Sequence, residues 1–116
     1  MMIYDRNKML SKLNRKKALV FIVSRKLKLK LIKGRVKSFT GYQTIGLIKS
    51  EKDQKLMINL EINHGQAVLV AIYKKDIFEI SNRNMSAQIQ LPFDKGFTKL
   101  RLYGEQASLS FEITKR

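Results

Sequence analysis

Leu56, Ile58, Leu60 and Ile62 alternate with Met57, Asn59 and Glu61. A period of two turns one set of side chains towards a core and the other set away from it, which predicts a strand. Ala107, Leu109, Phe111 and Ile113 repeat the pattern against Ser108, Ser110 and Glu112, and Ala87, Ile89 and Leu91 against Gln88 and Gln90. Gln66–Tyr73 is apolar after its first residue, as a central strand buried on both faces would be. Ala18–Ser24, Tyr42–Lys49, Ile77–Ile80 and Phe97–Tyr103 add further strand-like runs. Between these runs lie Ser50-Glu51-Lys52-Asp53, Asn63-His64-Gly65, Lys74-Lys75-Asp76, Ser81-Asn82-Arg83-Asn84, Pro92–Gly96 and Gly104-Glu105-Gln106. Their composition predicts turns and loops, with Gly65 free to take a positive φ in a hairpin turn.

Strands this short at this spacing predict an all-β chain. The expected architecture is a single small antiparallel β-sandwich, jelly-roll or Ig-like, of seven to nine strands over residues 18–116. A small closed β-barrel is the alternative. Residues 1–17 form a basic N-terminal segment in which 5–17 have helical patterning, with Met9, Leu10 and Leu13 on one side.

One stretch breaks its own parity. Lys26, Lys28 and Lys30 fall on even positions, and Lys33, Arg35 and Lys37 on odd ones, with Leu31-Ile32 at the change. Read as one strand, the stretch would bury unpaired cations on one side of that step, at a prohibitive cost. A β-bulge at Leu31-Ile32 would restore all six to one face, with Leu27, Leu29 and Leu31 inward. Such a row would run about 36 Å at roughly 3.3 Å per residue.

Charge makes that row worth attention. Of 24 Lys/Arg and nine Asp/Glu, residues 1–38 hold 13 of the bases and one acid, Asp5. The remaining 78 residues hold 11 bases and eight acids, so a nearly neutral body follows a leader of net +12. A chain of net +15 and pI near 10.3 favours polyanions: nucleic acid, an anionic membrane surface or a wall polymer. Lys26, Lys28, Lys30, Lys33, Arg35 and Lys37 are the candidate contacts. Phe39 and Tyr42 lie just beyond and are candidates to stack on bases. The bland readings are that the lysines blunt an edge strand against aggregation, and that both aromatics belong to the core.

Catalytic chemistry is poorly served. The single histidine, His64, stands beside Gly65 in an expected surface turn. With no cysteine, disulfides and thiolate metal sites are excluded. Glu51 and Asp53 have no EF-hand spacing around them. No nucleophile triad, P-loop or dinucleotide fingerprint is present. Asp94, Glu105 and Glu112 are the carboxylates from which a glycosidase-like pair would have to come. The expectation is a non-enzymatic protein with no metal and no cofactor.

Ala18–Val23 behind Lys8, Lys12, Arg15, Lys16 and Lys17 has the outline of a secretory signal. It is too short to span a bilayer, and Arg25, Lys26, Lys28 and Lys30 follow without a small-residue cleavage site. Neither a cleaved signal nor a transmembrane helix is expected.

Gln88–Gly104 resembles the closing hairpin of small β-sandwich domains in Gram-positive surface and secreted proteins. Lys95-Gly96 and Tyr103-Gly104 stand where that group has a turn and a terminal glycine. The likeness extends over roughly residues 55–113. It implies the fold and an envelope setting and carries over no functional residue; lack of a signal sequence favours the cytoplasm instead. The functional expectation is a binding module for a polyanion. Its alternatives are a structural or protein-interaction domain of the bacterial envelope, and a small inhibitor or adaptor docking by a sheet edge. Oligomeric state is left open.

Overall fold

Three strands of 19 residues each dominate the chain: β3 (Leu31–Lys49), β4 (Lys55–Tyr73) and β7 (Phe97–Lys115). This is seen in a computed structural model that describes residues 4–11, 15–26 and 31–115. The shorter elements are helix α1 (Arg6–Leu10) and strands β1 (Arg15–Lys17), β2 (Val20–Lys26), β5 (Asp76–Ser81) and β6 (Met85–Gln90). All seven strands join one open sheet, β3–β7–β4 at its centre, every pairing antiparallel. The all-β expectation therefore holds.

A straight 19-residue strand would measure about 60 Å, yet the longest dimension of the molecule is 36 Å. The long strands must bend, and all three do so at one level. Register shifts interrupt β3 between Val36 and Gly41, and β4 between Ile62 and Gln66. Positive φ angles fall at Ser38 and Gly41 in β3, Gly65 in β4 and Gln106 in β7. At Gly104 the corner is so tight that a Cβ would come within 2.5 Å of the Phe39 ring. Only glycine lets the β7 backbone pass there.

The bend gives the sheet two halves. The β2–β6 half contains β2, Leu31–Val36, Lys55–Ile62, β6 and Leu109–Lys115. The β1–β5 half contains β1, Gly41–Lys49, Gln66–Tyr73, β5 and Phe97–Gly104. Their inner faces share one core: Ile32, Val36, Leu56, Ile58, Leu60, Leu109, Phe111 and Ile113 meet Ile45, Leu69, Ala71, Leu100 and Leu102, with Phe39 at the corner. A second cluster lies on the outer face of the β1–β5 half, where Tyr42, Val68, Val70, Ile72 and Tyr103 are covered by Tyr4 and Met9. Asp5 caps α1 by accepting the Lys8 N–H at 3.1 Å. Five residues are too few for a helix to persist alone, so its hold is tertiary: Met9 is fully buried, the Asp5 N–H donates to the Tyr42 hydroxyl at 2.9 Å, and Arg6 donates to the Lys75 carbonyl at 2.7 Å.

Three sequence expectations need correction. Asn63-His64-Gly65 and Gly104-Glu105-Gln106 do not reverse the chain; each is the corner of a continuous strand. Leu31-Ile32 is not a bulge. Lys26 ends β2 and pairs with Leu31 at the start of β3, and the register from Leu31 to Val36 runs unbroken on both sides. The chain therefore reverses between two paired strands instead of running through as one. Leu13, Leu27, Lys28, Leu29 and Lys30 lie outside the described residues, as does the side chain of Lys26. No helix among the described residues is long and apolar enough to cross a membrane.

Candidate functional site

Lys33, Arg35 and Lys37 occupy alternate positions of β3 and are all exposed. Their inward neighbours, Ile32 and Val36, are buried in the core. The three cations therefore follow one another about every 7 Å along β3, Lys33 and Arg35 on the outer face of the β2–β6 half and Lys37 at its border, where the register with β7 breaks. Continuous register carries Lys33 and Arg35 across the sheet, whereas Lys37 pairs only with Val20 of β2. Ser24, Lys33, Glu112, Asn59 and Ser86 form one cross-strand line through five strands, and Ile22, Arg35, Ser110 and Glu61 form the next. These residues line a trough of about 490 Å³ with β2 and β3 along one side. In its floor Ser86 donates a hydrogen bond to Asn59 Oδ1 at 2.7 Å.

Glu112 stands directly opposite Lys33. Even so, none of Lys33, Arg35 and Lys37 forms an ion pair with a described residue. Other cations nearby are engaged in structure. Arg25 Nε donates to the Ile45 carbonyl at 2.8 Å, closing the outer edge of β3 beside the Thr44–Gly46 irregularity. Lys16 lies 4.7 Å from the centroid of the Phe21 ring and donates to Gln43 Oε1 at 2.8 Å.

Of the six predicted contacts, the structure thus brings Lys33, Arg35 and Lys37 together and puts Lys26 at the far end of the β2–β3 pair. The two aromatics are not stacking surfaces. Phe39 is fully buried and meets Phe21 edge-on at 5.2 Å; Tyr42 is 9% exposed, with its ring 4.9 Å from that of Tyr103. Both are core residues.

The candidates for chemistry disperse. His64 is exposed at the β4 corner. Glu51 pairs with Lys115 at 3.3 Å, and Asp53 takes a positive φ in the turn before β4. Asp94 lies just before β7, Glu105 at its corner and Glu112 in its final third, so the three carboxylates are spread along the chain from the loop before β7 to near its end. Among the described residues, no three His, Asp or Glu side chains gather to hold a metal ion.

Arg101 was not anticipated. It is completely buried on the outer face of the β1–β5 half, beneath α1. Its Nη1 donates to Thr44 Oγ1 at 2.9 Å and its Nη2 to the Lys8 carbonyl at 3.4 Å. Burial lowers its pKa below the ordinary guanidinium value, with Tyr42 pushing the other way. The available signal was indirect: Leu100 and Leu102 face the core, so Arg101 must point to the opposite face. That this face is covered follows only from the apolar run Val68–Ile72 beside it. Burial also holds Tyr103, next on that face, above its ordinary pKa, at about 12, with Glu105 adding to the effect.

Comparison of the chain with protein-family models, with curated proteins and with solved structures gives no match.

Proposed function

We propose that this protein is a non-catalytic binding module that holds a polyanion against the β2–β3 side of the trough. The observation that carries the reading is the row Lys33, Arg35 and Lys37, exposed and making no ion pair with described residues although carboxylates stand within the same face. Cations left in water can exchange counterions for a bound polyanion, and the gain grows with each contact. The excess of Lys and Arg in residues 1–38 adds a long-range field that speeds encounter.

Docking through the open edge of β3 has less support. Beyond the reach of β1, carbonyls along that edge are already taken: Thr44 accepts from Gln43, Ile45 from Arg25 and Lys49 from Lys115. An added strand would have to displace these side chains before it could pair.

The test is equilibrium binding to DNA, RNA, anionic vesicles and teichoic acid as salt is raised. The triple variant Lys33→Glu, Arg35→Glu, Lys37→Glu should bind far more weakly, and its log–log salt dependence should flatten by about 2 to 3. Absence of binding to every one of these polymers at low salt refutes the proposal.

A further inference from the structure

Two of the most exposed large apolar side chains among the described residues border the cation row. Ile22 is 63% exposed and sits directly opposite Arg35; Leu19 is 75% exposed, and its N–H donates to the Lys37 carbonyl at 3.0 Å. Exposed Lys16 and Lys17 precede Leu19 in the chain. Basic side chains interleaved with solvent-facing Leu and Ile match an interface where anionic headgroups lie over hydrocarbon.

Shape narrows the ligand further. β2 is an edge strand, pairing only with β3, whereas Glu112 and Glu61 belong to the central strands β7 and β4 that floor the trough. A strand of nucleic acid laid along the trough would run its phosphates past those carboxylates. A flat surface would touch the β2 rim and leave the floor untouched. Phe39 and Tyr42, the two rings expected to stack on bases, are buried, so neither can grip single-stranded bases beside the row.

From this we infer that the polyanion is an anionic phospholipid bilayer. Leu19 and Ile22 enter the boundary between headgroups and acyl chains, while Arg35, Lys37 and Lys17 contact the headgroups. The inference rests on the polyanion reading above and names its ligand.

The experiment is co-sedimentation of the full chain with phosphatidylcholine vesicles, with and without about a third phosphatidylserine. A parallel titration uses single- and double-stranded oligonucleotides. The double variant Leu19→Ser, Ile22→Ser removes only exposed side chains, and circular dichroism checks its fold. Binding to phosphatidylserine vesicles should fall about tenfold or more, with oligonucleotide binding unchanged. As the chain has no tryptophan, an Ile22→Trp variant supplies a lone reporter. Its emission should shift to the blue on adding these vesicles and be quenched by brominated lipid. Oligonucleotide binding without vesicle binding, vesicle binding indifferent to the double variant, or no spectral shift at position 22 overturns the bilayer inference but leaves the polyanion reading standing. Failure to bind vesicles, oligonucleotides and teichoic acid alike removes both.

Discussion

The two halves of the sheet are made from the same three long strands, yet their outer faces are opposites. In the β2–β6 half the outward positions are Lys33, Arg35, Asn59, Glu61, Ser110 and Glu112, and water covers them. In the β1–β5 half they are Tyr42, Val68, Val70, Ile72 and Tyr103, and α1 covers them. The inner faces are alike. What separates a surface left to solvent from one committed to folding is therefore the second face. A strand alternating apolar with polar leaves that face to solvent, whereas a strand apolar at every position demands a cover. The protein supplies its cover from its own N-terminal segment, and Arg101 lies buried beneath it, donating to the last turn of α1.

The contrast can be broken at its hinge. Phe39 belongs to the corner that both halves share, so Phe39→Ala should cost about 3–5 kcal/mol in urea or thermal unfolding. A ring on the surface would cost almost nothing. The cover is next: Met9→Ala should cost about 2–4 kcal/mol, while the polyanion binding proposed for the opposite half, measured below the unfolding transition, should stay unchanged.

Alkali should attack the covered face. Tyr103 has its pKa raised to about 12 from 10.0 and Tyr4 is shifted in the same direction, burial being the main cause for both. A raised folded-state value means the neutral phenol is the stabilising form. Its contribution is complete below pH 10 and is lost as pH rises towards about 12. Denaturant midpoints should fall over that window, and ultraviolet titration should show Tyr103 ionising last or only with unfolding. The smallest stability effect belongs to the open face: Lys33→Ala and Arg35→Ala should each change unfolding free energy by less than about 0.5 kcal/mol, although under the proposed function both should weaken polyanion binding.

Faces were readable before the structure, and directions were not. The alternations over 56–62 and 107–113 named the core residues correctly because side-chain parity is a local property of a strand. The turns expected at 50–53 and 74–76 were equally local, and the structure places breaks between strands there. The errors came in a mirrored pair. Gly65 and Gly104 were taken for the ends of strands, but a positive φ or a missing Cβ serves a hairpin turn and a strand corner equally well. Between Lys26 and Leu31 the reverse happened: alternation of Lys and Leu concealed a change of direction, since parity says which way a side chain points and nothing about where the chain goes next. The candidate site suffered accordingly. Lys33, Arg35 and Lys37 were legible as one face, whereas Ile22 opposite Arg35, the carboxylates in the floor and the burial of Arg101 needed neighbours that pairing alone provides.

The sequence by itself determined the all-β class, the inward and outward set of most strands and the concentration of charge near the N-terminus. Each is written in composition or in a period of two. Only the tertiary structure decided which breaks are corners and which are reversals, which strand faces are covered, and which cations stand unengaged beside exposed apolar side chains. Those outcomes depend on partners tens of residues away, such as Glu112 in register with Lys33 and Met9 in one buried cluster with Val70, and no local pattern records them.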